Sequence, residues 1–330
     1  MYKSFAALAF TGVASAINDI QFRYIKYVSE FNKNYNTLEE FNMRMELFRI
    51  TDTLINEHNS DDTATSQMGH NFLSDWTHAE KKTLTGLKGE LTGVNHQKFV
   101  SNGAPVPNAV NWVTAGKVGP VKDQGQCGSC WAFSATCSVE SAIAVATNTT
   151  PLNLSEQQLV SCSGAYGNQG CNGGWYYWAW DYGKVNAQTT TASYPYTSGT
   201  TTLTGTCNWD GTGVAIVDSY VQVGQTNADI VAAINLKPVS VAIDAARAVF
   251  QQYTSGVITT GCGTMLDHAV MAVGYGKDVA SGLDYFLVRN SWGASWGDQG
   301  YVKIAQSSTG TAPGYCGINK AVYYVNAHIQ

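Results

Sequence analysis

The apolar and polar positions of this chain change rhythm several times. An apolar run over residues 5–13 follows Lys3 and gives way to Ala14-Ser15-Ala16. That order, basic then hydrophobic then small, reads as a secretory signal cleaved after Ala16, and the run is too short to span a bilayer. A charged stretch follows in which Glu40, Arg44, Phe48, Thr51, Ile55 and Asn59 recur at steps of 4, 4, 3, 4 and 4, which puts all six on one face of a helix. Later, the glycine turn Gln124-Gly125-Gln126-Cys127-Gly128-Ser129 hands over at Cys130-Trp131-Ala132-Phe133 to an apolar helix. The apolar residues 269–273 after His268, and residues 285–289 with Asn290 in the turn behind them, read as strands.

Charge marks a boundary that hydropathy leaves vague. Residues 17–105 carry 9 Lys/Arg and 12 Asp/Glu, and residues 106–330 carry the same numbers over two and a half times the length. All 8 cysteines fall in the second part, and Ser101-Asn102-Gly103-Ala104-Pro105-Val106-Pro107 has the content of an exposed linker. The division fits two domains, or a propeptide cut from a disulfide-bonded mature protein.

With 330 residues and 44% hydrophobic composition, the chain can build a sizeable core. Its net charge of -5 supplies no basic field for nucleic acid or an anionic membrane, and no later segment is long and apolar enough to cross a bilayer. The product of signal cleavage is expected to be soluble in the secretory or endolysosomal space. Disulfides are permitted there, and the sequons at Asn148 and Asn153 are candidates for glycans.

Cys130 lies where a turn enters a helix, six residues after Gln124, which suits a nucleophile beside an oxyanion donor. Cys127 and Cys130 also read as half a zinc site or a dithiol redox pair. A thiol nucleophile needs a base. Of six histidines, His58, His70, His78 and His96 precede the boundary, and His328, third from the C-terminus, is expected to be frayed. Elimination leaves His268. Asn290 supplies a neutral amide oxygen that can hold the imidazole in one tautomer. Eight cysteines less one nucleophile leave at least one more without a partner in the chain.

These residues resemble the papain family of cysteine peptidases, and within it the cathepsin L-like branch. Cys-Gly-Ser-Cys-Trp over residues 127–131, with His268 138 residues on and Asn290 22 further, meets that family's signature. Five of the six helical-stripe positions match its prosegment motif, with Thr51 in place of asparagine. Gly69-His70-Asn71-Phe72-Leu73-Ser74-Asp75 is similar to a second prosegment motif, with Leu73 in place of phenylalanine.

The resemblance implies an α+β, papain-like two-lobed fold: a helical lobe and a β-barrel-like lobe flanking a cleft, preceded by a helical inhibitory propeptide. It divides the chain into a signal peptide (1–16), a propeptide (17–105) and a mature peptidase (106–330). It implies a catalytic set of Cys130, His268 and Asn290, resting as a thiolate–imidazolium pair that the helix N-terminus favours. The side chain of Gln124 and the backbone N–H of Cys130 would serve the oxyanion. It pairs Cys127 with Cys171, Cys162 with Cys207 and Cys262 with Cys316, leaving Cys137 as a small buried hydrophobe two helical turns after Cys130.

Gly173 and Gly174 would let an extended substrate backbone approach. Trp175, Tyr176, Ala242, Leu266 and Ala321 would line the pocket for the residue two before the scissile bond, and Gly128, Asp267 and Trp292 complete the expected substrate contacts. An uncharged Ala321 at the floor implies preference for large apolar or aromatic residues, with Trp175 and Tyr176 narrowing the pocket. No paired histidines lie between Cys171 and Cys207, so an endopeptidase is expected rather than a dipeptidyl-peptidase. The implied partners are polypeptide substrates, the chain's own propeptide, released in acid on protonation of carboxylates such as Asp75, and cystatin-like inhibitors. The expectation is a monomer without cofactor or metal, in a lysosome, an acidic vacuole or outside the cell. A peptide ligase, or a silent binding or storage homologue, are the alternatives on the same scaffold.

Overall fold

A computed structural model describes residues 19–88 and 96–330, so the apolar run read as a secretory signal lies outside it. Helix α1 (Asp19–Glu30) packs on α2 (Leu38–Asn59) through Tyr24, Tyr27 and Phe48, the buried centre of a small aromatic core. Thr37 caps α2, its hydroxyl accepting from the Glu40 N–H. The six-residue stripe faces the rest of this N-terminal segment. Phe48, Thr51 and Ile55 are buried, and Arg44 makes a two-pronged pair with Glu80 at 2.6 and 2.7 Å. Asn59 pins the Met68 backbone with bonds of 2.8 and 2.9 Å. That fixes β1 (Ser66–Met68), and α3 (His78–Lys82) follows under a Thr77–Glu80 capping box.

Beyond the boundary, α4 (Cys130–Thr147) is buried on all sides from Cys130 to Ala144. Alanine and serine at 132, 134, 135, 138, 141, 142 and 144 keep it slim enough to serve as a central post. On one side stand α5 (Glu156–Cys162) and α6 (Tyr176–Gly183). On the other is a mixed sheet, whose remaining strands are β2 (Lys98–Phe99), β3 (Val110–Asn111), β4 (Ala215–Val223), β5 (Val239–Ile243), β6 (Tyr253–Ile258), β7 (His268–Lys277), β8 (Asp284–Arg289), β9 (Tyr301–Ala305) and β10 (Val322–Ile329). Its order is β1-β6-β9-β8-β7-β5-β10-β4-β2, with β3 also on β7.

Two apolar cores result, one inside the curved sheet and one around α4 and α6, with the line between them opening at the N-terminus of α4. Disulfides join Cys127–Cys171, Cys162–Cys207 and Cys262–Cys316, and Cys130 and Cys137 are free and buried.

One departure from the sequence reading and one addition to it stand out. His328 is not frayed: it is exposed, but it sits in β10 paired to β4, with Nδ1 2.7 Å from the Asp218 carboxylate. Just before the stretch read as linker lies a strand that the sequence reading did not foresee. Residues 98–99 form β2, parallel to β4, before the exposed stretch 102–105 begins.

Candidate active site

Cys130 opens α4 and His268 opens β7, so the two come from opposite sides of the line between the cores. Asn290 follows the last residue of β8, which is paired to β7, and this brings its amide to the imidazole. His268 Nε2 lies 2.7 Å from Asn290 Oδ1, which also accepts from the Ser291 N–H at 2.8 Å. The amide oxygen thus fixes Nε2 as the protonated nitrogen. Nδ1 lacks a well-formed hydrogen bond, although the Leu84 carbonyl is near enough to favour the charged ring. Trp292 covers the imidazole, ring centroids 4.9 Å apart, and is itself buried against Phe250 and Trp296.

Gln124 is fully buried. The Ser291 hydroxyl donates to Gln124 Oε1 at 2.7 Å, and this turns Nε2 toward the cleft. There Nε2 donates to the carbonyls of Leu84 at 3.0 Å and Cys127 at 2.9 Å. The Tyr196 hydroxyl donates to the Gln124 carbonyl at 2.8 Å and meets Ser129 Oγ at 2.7 Å, bracing the turn before the helix.

The N-terminal segment runs through this site. The Gly86 N–H donates to Cys130 Sγ at 3.3 Å, and the Ala269 N–H donates to the same sulfur at 3.4 Å. The Gly174 N–H donates to the Gly86 carbonyl at 2.9 Å, and the Leu87 N–H to the Asp267 carbonyl at 2.9 Å. Leu87 is buried in the same apolar cluster as Trp175, Tyr176, Ala242 and Ala321, with Leu266 packed against it. The Tyr176 hydroxyl donates to the Ala321 carbonyl at 3.0 Å, closing the floor of that region.

Glycine is needed where the backbones cross. A Cβ on Gly86 would fall 1.9 Å from the Gly128 carbonyl oxygen, and one on Gly173, at φ +117, 2.6 Å from the Gly86 oxygen. The sequence marked Gly128, Gly173 and Gly174 but gave no sign of Leu84, Gly86 and Leu87, which carry no chemistry of their own. It also passed over Ser291 and Tyr196.

Enclosure decides the charge state. Burial pushes the Cys130 thiol up to about 11, against backbone N–H groups that favour the thiolate. Burial likewise pulls the His268 imidazole down to about 4, against the Asn290 bond. With the N-terminal segment in place burial favours a neutral thiol and a neutral imidazole. The ion pair that the resemblance implies is therefore not the state favoured while the N-terminal segment encloses the site.

Residues 106–326 match the papain family cysteine protease model, and residues 24–80 match the cathepsin propeptide inhibitor domain. The chain belongs to the papain family of cysteine proteases. It is 38% identical over 314 residues to germination-specific cysteine protease 1 of Arabidopsis thaliana, covering 89% of this chain and 81% of that relative. With digestive cysteine proteinase 3 of Homarus americanus it shares 39% identity over 311 residues, covering 92% and 94%. Digestive procathepsin L 3 from the larval midgut of Tenebrio molitor superposes with a TM-score of 0.80 at 31% identity, over 93% of this chain and 99% of that one. In this papain-family protease the helical N-terminal segment is the propeptide, and the chain is a zymogen with its inhibitor in the cleft.

Proposed function

We propose that this zymogen yields a secreted endopeptidase in which Cys130 is the nucleophile, His268 the acid and base, and Asn290 the group that orients the imidazole. Once the cleft opens, the proton on Sγ passes to Nδ1 and the thiolate attacks a peptide carbonyl. Gln124 Nε2 and the Cys130 backbone N–H hold the oxyanion. His268 protonates the leaving amine, then activates the water that hydrolyses the thioester. Gln124 supports this reading directly, because it already grips a carbonyl oxygen, that of Leu84.

Leu87 is the observation that carries the direction of binding. A substrate fills the apolar pocket with the residue two before the scissile bond, so its pocket residue precedes the carbonyl attacked. In the propeptide the order is reversed: Leu84 lies at Gln124, Gly86 at the sulfur, and Leu87, the last of the three, in the apolar cluster. The sulfur faces an N–H rather than a carbonyl carbon, and nothing there can be cleaved.

The packing of a leucine among Trp175, Tyr176, Ala242, Leu266 and Ala321 supports preference for an apolar residue at that position. Maturation removes residues 17–105 by a cut in the exposed stretch around Pro105 and leaves 106–330 as a monomer open to cystatin-like inhibitors. The signal-like run and the exposed sequon residues Asn148 and Asn153 support passage through the secretory pathway to an acidic vacuole, a lysosome or the exterior. The test is to acidify the full chain, label it with a thiol-directed epoxide and compare matched Phe and Arg substrates. Labelling at Cys130 that is lost in Cys130→Ser, with Phe cleaved faster, is the expected result. An unlabelled acid-treated chain would sink the mechanism, and equal cleavage of Arg would sink the pocket.

A further inference from the structure

The cleft is not the only place where the propeptide touches the protease. Between the cleft segment and the boundary, residues 96–101 lie against the outer edge of β4. The Gln222 and Gly224 N–H groups donate to the carbonyls of Gln97 and Phe99 at 2.9 and 2.8 Å. The Ser101 N–H donates to the Asp229 carboxylate at 2.7 Å. His96 enters a cage of three tyrosines, its ring centroid 5.5 Å from Tyr177, 5.1 Å from Tyr220 and 5.4 Å from Tyr323. Phe99 stands edge-on to Tyr324 at 5.9 Å. Short as it is, the tail is read through both its backbone and its rings.

The cage does not depend on the tail for its shape. Tyr220 is bonded to the Asp181 carboxylate at 3.1 Å, is covered by Lys184 with Nζ 4.2 Å from the ring centroid, and packs on Trp180 at 5.6 Å. Tyr177 and Tyr323 pack on each other at 5.7 Å, and Tyr323 also lies 5.7 Å from Tyr176. All of these partners lie beyond residue 106, so the rings stay in place when the tail leaves. Departure also strips β4 of its neighbour and leaves it as the edge of the sheet, a template for an added strand.

We propose that the β4 edge and the Tyr177–Tyr220–Tyr323 cage form a second peptide-binding site on the mature protease, separate from the catalytic cleft, whose occupant is its own cleaved tail. The site takes an extended segment as a parallel strand, with a ring in the cage and an aromatic side chain three residues later, the pattern His96-Gln97-Lys98-Phe99. It rests on the reading that residues 17–105 are cut away. Through it the severed propeptide keeps a hold on the enzyme after its grip on the cleft is lost.

The test uses acid-processed enzyme whose Cys130 has been blocked with the epoxide, so that the cleft is filled and the probe cannot be hydrolysed. A fluorescent synthetic peptide of residues 96–102 is titrated and its anisotropy followed. Saturable binding is expected, weakened about ten-fold or more by His96→Ala in the peptide, and similarly by Tyr220→Ala in the enzyme. Absence of saturable binding, or a His96→Ala peptide that binds as well as the parent, overturns the site, and the peptide arm does not depend on folding of an enzyme variant. Substrate hydrolysis before blocking separates the two readings. An active enzyme that ignores the peptide refutes the tail site alone, whereas a processed chain that binds the peptide without hydrolysing substrate refutes the protease reading alone.

Discussion

Gly86 presents its backbone N–H to the sulfur of Cys130 at 3.3 Å, so the inhibitor meets the candidate nucleophile with a donor instead of an electrophile. This approach depends on the missing side chain, since a Cβ there would lie 1.9 Å from the Gly128 carbonyl oxygen. Gly86→Ala should therefore lift the propeptide from the cleft while leaving its helices folded. Uncleaved Gly86→Ala zymogen at neutral pH is expected to hydrolyse a small peptide substrate at least ten-fold faster than the parent. Activity equal to the parent would mean that the crossing is looser than drawn.

Enclosure of the site should be visible as thiol chemistry. In the zymogen the Cys130 thiol is pushed up to about 11 and His268 down to about 4, so between these limits the imidazole keeps its Nε2 proton and the one proton that Sγ and Nδ1 could exchange sits on sulfur. Opening the cleft moves that proton to the imidazole with no net uptake. Alkylation of intact zymogen by a small haloacetamide should accelerate with each pH step above neutrality, whereas the processed enzyme should react at a nearly constant rate from about pH 5 to about pH 8. A flat profile in the zymogen would contradict the neutral pair.

Because the catalytic pair takes up no proton on opening, acid release must draw on other groups. Arg44 holds Glu80 down to about 2, so that pair contributes stability above the usual carboxylate range and loses it only as pH falls toward about 2. It survives mild acid. His70 has the opposite character. Stacked 4.1 Å from Phe48, with Nε2 3.1 Å from Asp52, it is pulled below its ordinary value by burial, and the facing charges are Asp52 and Glu30 against Arg23. Its contribution is fully present above about 6.5 and declines as pH falls below that. His70→Gln should move half-activation to lower pH by roughly half a unit, read from activity after timed acid incubation. An unchanged midpoint would exclude His70 as the trigger.

Ser291 holds Oε1 of Gln124, the proposed oxyanion donor, at 2.7 Å. Gln124→Ala should lower kcat/KM of the processed enzyme by about 10²- to 10³-fold. Ser291→Ala should cost about ten-fold, in kcat with KM unchanged, because the amide remains but wanders. Equal losses in the two variants would show that Ser291 does more than orient.

Two residues before Gln124, Lys122 bridges the buried carboxylates of Glu140 at 3.0 Å and Glu156 at 2.7 Å, and burial pushes Glu156 up to about 7. Lys122→Met leaves two acids without a counter-charge and should cost about 3–5 kcal/mol in urea unfolding. The loss should shrink in acid, where Glu156 sheds its charge, and a pH-independent loss would refute that account.

Residue types at set spacings singled out Cys130, His268 and Asn290 as candidates, because a nucleophile, its base and its orienter each need a chemistry that few side chains offer, and the fold brings the last two within 2.7 Å. The stripe from Glu40 to Asn59 was legible for a related reason: helical periodicity repeats within a few residues. Sequence could not show what encloses these groups. Leu84 and Gly86 meet the site through backbone N–H and C=O groups that every residue carries, Leu87 packs there as any leucine could, and the three acquire meaning only where the fold lays them against Gln124, Cys130 and Gly174. The same holds for the tail strand at residues 98–99, too short to have a periodicity of its own and defined by the β4 edge beside it. Whether the catalytic pair is charged was likewise a tertiary decision, since solvation, and not residue identity, sets which atom holds the proton.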